Sequence, residues 1–182
     1  MQNDRLTLAG ILCIVRATLS LLLASLVSRL ATQAGFGPKL ITALLTLIAF
    51  LLFAFIFSTF KRLLNERYQF HNTDLAIVGL IGLSGLAALI TVGSLFLSTG
   101  TATDTMLLKL VYVAFGLLLA GFAMQLMRLG DNLFGFLKPY AILTGAAGVG
   151  IASIKLAGVG VILGAIADVI LAVIFVKSSG KR

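Results

Sequence analysis

Apolar runs long enough to cross a lipid bilayer as helices dominate this sequence. A hydrocarbon core of about 30 Å requires roughly 20 helical residues, because an α-helix rises about 1.5 Å per residue. The run at 139–154 is short for this purpose, so we extend it back to Leu133. The predicted helices cover residues 6–30, 40–60, 75–97, 106–127, 133–154 and 156–176. The sequence therefore predicts an all-α fold with six transmembrane helices in a bundle, and residues 1–182 form a single membrane domain.

The composition excludes a water-soluble globular protein. Of the 182 residues, 60% are hydrophobic and 11% are charged, whereas soluble domains have about 45–50% apolar and about 25% charged residues. A soluble domain of this length could not bury the excess of apolar side chains. We expect the lipid bilayer to be the solvent, and we expect a multi-pass protein of the bacterial cytoplasmic (inner) membrane.

The basic residues predict the orientation of the chain in the membrane. The net charge of +8 does not indicate a nucleic-acid partner, because Lys and Arg collect at the cytoplasmic ends of spanning helices. Six spans place both termini on the same side, and a cytoplasmic placement puts nine basic residues inside and four outside. The inner positions are then Arg5, Lys61, Arg62, Arg67, Arg128, Lys138, Lys177, Lys181 and Arg182, and the outer positions are Arg29, Lys39, Lys109 and Lys155. We expect both termini to be cytoplasmic.

The chain lacks the residue sets of common catalytic and metal sites. Cys13 is the single cysteine and His71 the single histidine, so we expect no cofactor and no metal site. Residues 82–85 read GLSG, which resembles the GxSG nucleophile motif of rhomboid intramembrane proteases. Those enzymes need a histidine on another spanning helix to activate the serine, and His71 lies in the predicted loop before Ser84. We predict no catalytic residues and no enzymatic activity.

Two charged residues lie deep within predicted spans. Arg16 lies ten residues inward from Leu6, and Asp168 lies eight residues inward from Val176 on a helix that runs in the opposite direction. A charge at this depth is costly unless it faces protein or water and has a partner. Because the two depths match, we predict an intramembrane ion pair between neighbouring first and sixth helices. The pair could fix the arrangement of the helices, or it could belong to a proton or ion relay.

Small residues predict where the helices pack. They let backbones approach closely, which drives helix association in lipid. We expect the third, fifth and sixth helices to form the packed centre and the bulky second helix to be peripheral. The remaining polar groups that could line a pocket are Tyr112, Gln125, Tyr140 and Thr144. The candidate packing glycines are Gly82, Gly85, Gly145, Gly148, Gly160 and Gly164.

Two functions remain open from the sequence. The first is a non-enzymatic accessory or structural subunit, which would interact with other membrane proteins or form a homo-oligomer. The alternative is a small transporter or channel that uses Arg16 and Asp168. A polar, water-accessible cavity that reaches these two residues favours transport, whereas a dry core favours the structural role.

Overall fold

The structure, a computed structural model, describes residues 2–30, 36–96, 102–129 and 133–180. Within these residues the chain folds into six α-helices and one short 3-10 turn. The helices are α1 (Gln2–Leu30), α2 (Phe36–Tyr68), α3 (Asp74–Phe96), α4 (Ala102–Met127), α5 (Leu137–Ala152) and α6 (Ala157–Gly180), and the 3-10 turn is Leu133–Gly135.

Five of the six helices are long and apolar enough to cross a membrane. These are α1, α2, α3, α4 and α6. Helix α5 has 16 residues and therefore a length of about 24 Å. The chain is thus an all-helical bundle whose length and composition match those of a multi-pass membrane protein.

Helix α5 begins four residues later than the sequence analysis predicted. Leu133 and Phe134 have φ values of 39° and 62°, and a right-handed helix cannot continue through residues in this left-handed conformation. Ile154, with φ of 58°, ends the helical segment in the same way. The regular helix therefore covers Leu137–Ala152, rather than 133–154.

Helix α2 continues well beyond the predicted end at residue 60. Its last two turns bury Leu63 and Leu64, which extend the apolar stripe of Phe57 and Phe60 at helical spacing. Residues 61–68 therefore belong to a helix that packs on its neighbours, although they contain most of the charges of this region.

The six helices form a closed ring in chain order. Each helix packs against the next, and α6 packs against α1. The prediction that the third, fifth and sixth helices form the packed centre is wrong, because in the described residues the backbone of α3 approaches only α2 and α4. Aromatic side chains fill the interior of the ring at the end where α1 begins and α6 ends.

The second helix is less peripheral than its bulky composition predicted. The ring of Phe60 lies 6.3 Å from that of Phe122 on α4, 5.6 Å from Tyr140 on α5 and 6.1 Å from Phe175 on α6, measured between centroids. Bulky residues on the opposite face of α2, such as Leu44 and Leu51, are exposed. One face of α2 therefore fills the interior of the ring while the other faces outward.

Glycine contacts bring α4, α5 and α6 together. A Cβ atom at Gly148 would lie 2.6 Å from the carbonyl oxygen of Gly116, and one at Gly160 would lie 2.9 Å from that of Ala147. Gly145 faces the Cβ of Ala123 on α4 at 3.3 Å. The backbone approaches at Gly148 and Gly160 leave no room for a larger residue.

The other candidate packing glycines have different surroundings. A Cβ atom at Gly85 would meet the ring of Phe50 at 3.2 Å, whereas Gly82 and Gly164 have no neighbouring atom within 4 Å of that position. Close helix contact therefore involves only some of the glycines that the sequence singles out.

Candidate functional site: a chamber at Arg16

The structure brings the two deep charges together between α1 and α6. Arg16 Nη1 donates a hydrogen bond to Asp168 Oδ1 at 2.5 Å. The guanidinium carbon of Arg16 also lies 4.7 Å from the centre of the Phe53 ring, within the range of a cation–π contact. The Arg16 side chain is 22% exposed and the Asp168 side chain 7%, so the carboxylate is the more deeply enclosed partner.

Small residues on α1 and α6 allow the short aspartate side chain to reach the arginine. Ala9 and Cys13 are fully buried on α1. A Cβ atom added at Gly10 would lie 3.2 Å from the carbonyl oxygen of Ala172 on α6. The two backbones therefore run close together over the turns that precede Arg16 and follow Asp168.

A cavity of about 220 Å³, which we call the wide lobe, lies on one side of Arg16. Ser20, Thr46, Ser84, Thr91 and Tyr112 provide its polar side chains besides Arg16. Its remaining lining residues are Leu23, Ala49, Phe50, Phe53, Ala87, Ala88 and Phe115.

A second cavity of about 120 Å³, the narrow lobe, also reaches Arg16. Asp168, Tyr140 and Thr144 contribute its other main polar groups. Both lobes are lined by Arg16, Ser20, Phe53 and Phe115, and together they form what we call the chamber. Arg16 thus faces both lobes, whereas Asp168 lines only the narrow one.

The position of the wide lobe follows from side-chain size along α2. Its inward residues begin with Thr46 and Ala49, and they continue with Phe53, Phe57 and Phe60, which pack on aromatic rings of α4, α5 and α6. The phenylalanines fill the half of the ring next to the start of α1 and the end of α6. The half with smaller side chains stays hollow.

The serine and threonine hydroxyls of the wide lobe donate to their own helices. Ser20 donates to the carbonyl of Ala17 at 2.9 Å, and Thr46 donates to that of Thr42 at 2.8 Å. Ser84 and Thr91 make the same kind of bond within α3. A hydroxyl that donates in this way keeps acceptor lone pairs, so these groups can contact water or a ligand without being left unsatisfied.

The structure does not bring Ser84 and His71 together. His71 is exposed, and its Nδ1 lies 3.5 Å from Asp74 Oδ2, while Ser84 donates to the carbonyl of Ile81. In the described part of the chain, no group of three or more His, Cys, Asp or Glu residues is placed to hold a metal ion.

Sequence reasoning identified part of this site. It singled out Arg16, Asp168, Tyr112, Tyr140 and Thr144, and all five line the chamber. Gln125 lines neither lobe. The sequence did not indicate that several Ser and Thr residues line the chamber, because Ser and Thr are common in membrane helices and usually bond their own backbone. The missed lining residues are Ser20, Thr46 and Thr91, together with Ser84, which the sequence suggested only as part of the GLSG motif.

Comparison with known proteins provides no relative for this chain. No family model, no curated protein and no solved structure matches it. The function is therefore argued from the geometry and chemistry of the site.

Proposed function

We propose that this chain is a small transporter that binds a polar solute in the chamber and passes it across the membrane. The observation that supports this is the wide lobe, a cavity of about 220 Å³ inside the ring that reaches Arg16. A liquid water molecule occupies about 30 Å³, so the lobe has room for several waters or one small solute. An ion pair that only fixed the positions of α1 and α6 would need no such space.

The polar groups in the lining of the lobe provide partners for water, while apolar residues form most of the lining. Water enters an internal cavity when polar partners are available, and the wide lobe has hydroxyl groups on α1, α2, α3 and α4 besides the guanidinium. Polar groups within spanning helices are commonly found where substrates or ions pass. These hydroxyls face the interior of the ring.

The proposed orientation places the termini in the cytoplasm of a bacterial cell, with the chain in the inner membrane. The start of α1 and the ends of α2, α4 and α6 lie at the same end of the ring, and most of the Lys and Arg residues that the structure describes lie at that end. The positive-inside rule assigns this end to the cytoplasm. The wide lobe then lies in the outer half of the membrane.

Accessibility of the chamber to water tests this proposal. In a Cys13→Ser background, which removes the single cysteine, Ser84→Cys should react with a membrane-impermeant thiol reagent added outside. The matched control on α3 is Leu89→Cys. Leu89 is 68% exposed on the side of α3 that faces away from the ring interior, where it would contact lipid, so Leu89→Cys should not react. Failure of Ser84→Cys to react from either side would indicate a dry core and overturn the proposal.

An accessory subunit is the second candidate function. The observation that favours it is a groove of about 440 Å³ between α1 and α2, lined by Arg5, Phe55 and Arg62 among others, where another membrane protein or a second copy could bind. Purification in mild detergent followed by mass spectrometry should then show a stoichiometric partner. Thr59→Trp, which fills the groove, should remove that partner, and a chain that purifies alone would contradict this function.

A further inference from the structure

We infer that the chamber binds a small monocarboxylate anion on Arg16 and that Asp168 takes up one proton when the anion binds. This inference rests on the proposed function, and it adds the chemical class of the solute and the coupling ion. Four features support it: the charge that faces the wide lobe, the donors that remain on Arg16, the size of the lobe and the charge balance of the site.

The charge that faces the wide lobe is positive. Arg16 lines this lobe and Asp168 does not. The Asp168 side chain is 7% exposed, against 22% for Arg16, so a solute in the wide lobe meets the guanidinium first. The positive end of the ion pair therefore faces the wide lobe, which favours an anion there over a cation.

Arg16 has donors available for an anion. A guanidinium carries five N–H donors, and its planar fork matches the two oxygens of a carboxylate. The hydrogen bond to Asp168 engages Nη1. The hydroxyls of Ser20 and Thr46 also line the wide lobe, and each would donate to the same anion only by rotating away from the backbone carbonyl that it now contacts.

The size of the lobe limits the anion to a small molecule. A cavity of about 220 Å³ accommodates a carboxylate with a short apolar chain and a few waters. Ala49, Ala87 and Ala88 provide an apolar wall for such a chain. A carboxylate head and a short hydrocarbon tail therefore match the two kinds of lining surface.

Charge balance requires a proton at Asp168. The empty site is neutral, with one guanidinium and one carboxylate. An added anion would leave a net negative charge within the membrane, which is costly. If a proton from the solution binds Asp168 as the anion binds Arg16, one positive and one negative charge remain, and the site has taken up the elements of one neutral acid.

Asp168 is the group in this site that can accept the proton. The elements packed against α6 are α1, α5 and the 3-10 turn. Among the described residues, the titratable or charged groups that face Asp168 from these elements are Arg16 and Cys13 on α1 and Tyr140 on α5. At neutral pH an arginine, a thiol and a phenol already carry their protons.

Calorimetry with propionate tests the inference. The full chain in lipid nanodiscs is titrated with sodium propionate at pH 7 in two buffers of different ionisation enthalpy, which gives the number of protons taken up per anion. We expect a number close to one, and we expect no binding of methylammonium, an organic cation small enough to enter the lobe. Binding of methylammonium, or of propionate without proton uptake, would overturn the inference.

Three variants assign the roles of the two residues. Asp168→Asn should bind propionate at least as tightly without proton uptake, and the double variant Asp168→Asn with Arg16→Gln should bind it about tenfold to a hundredfold more weakly. The double variant leaves no unpaired buried charge, so it separates binding from folding. Lys109→Gln removes an exposed positive charge outside the chamber, and it should bind like the unmodified chain.

The two experiments distinguish a failure of the inference from a failure of the proposed function. If Ser84→Cys reacts with the aqueous reagent and propionate does not bind, the inference fails and the proposed function stands. If Ser84→Cys does not react from either side, the proposed function itself fails.

Discussion

At the scale of single residues, Arg16 and Asp168 differ in how well each could exist without the other. The Arg16 side chain reaches both lobes of the chamber, whereas the Asp168 side chain is nearly enclosed. A buried ion pair adds little net stability compared with apolar residues, but an isolated buried charge is costly. The cost of breaking the pair should therefore depend on which partner is removed.

The first prediction compares single and double substitutions of the pair. Arg16→Leu should lower the free energy of unfolding by about 3–5 kcal/mol, because it leaves Asp168 unpaired. Asp168→Asn should cost less, since the amide oxygen still accepts from Arg16 and water in the lobe can solvate the guanidinium. Replacing both with Leu should restore most of the stability. Thermal unfolding in detergent measures these differences, and additive losses would contradict the pairing.

The sequence allowed the pair to be predicted but not the chamber around it. The pair was predictable because charged residues are rare within apolar spans and because Arg16 and Asp168 lie at matching depths. In contrast, Ser20, Thr46 and Thr91 became part of a site only because three different helices present them to one volume. That volume depends on the ring arrangement, which no short stretch of sequence specifies.

At the scale of helices, glycines of the same small-residue pattern lie at close helix contacts in some positions and beside open space in others. Gly148 and Gly160 lie against backbone atoms of neighbouring helices, while Gly82 and Gly164 have open space at the Cβ position. The sequence also gave no special weight to Gly116, which contacts Gly148. Whether a glycine lies at a close helix contact depends on which helix lies opposite it, and this is a property of the assembled ring.

The second prediction concerns two glycines of α4. Gly116→Ala should destabilise the protein by about 1–3 kcal/mol, the usual cost of overpacking, because its Cβ would lie 2.5 Å from the carbonyl oxygen of Gly148 and 2.6 Å from the nitrogen of Ala152. Gly121→Ala has open space and should leave stability unchanged or raise it by up to about 1 kcal/mol. Equal melting temperatures for the two variants would show that α4 and α5 are not in close contact.

The third prediction concerns the two faces of α2. Phe60 is fully buried among aromatic rings of three other helices, so Phe60→Ala should cost about 3–5 kcal/mol. Phe55 is 37% exposed on the outer face, and Phe55→Ala should cost much less. Unfolding of both variants in the same detergent gives the comparison. Similar losses would mean that α2 does not fill the interior of the ring.

At the scale of the whole molecule, the sequence predicted the number of helices but not the order in which they pack. Apolar length gave six helical segments, and the short turn around Lys155 made α5 and α6 neighbours. Closure of the ring required contact between α1 and α6, for which Arg16 and Asp168 were the main sequence signal. The ends of α5 were less predictable, since they depend on the left-handed conformations of Leu133, Phe134 and Ile154.

The last prediction concerns the orientation of the whole ring. Of the basic residues that the structure describes, seven lie at the end of the ring where α1 begins and α6 ends, and four lie at the other end. The positive-inside rule therefore predicts cytoplasmic termini. A green fluorescent protein fused after Arg182 should fluoresce, and alkaline phosphatase at the same junction should be inactive. Fusions after Lys155, in the turn between α5 and α6, should give the reverse. Phosphatase activity after Arg182 would place the wide lobe in the cytoplasmic half, and thiol reagents would then reach Ser84→Cys from that side.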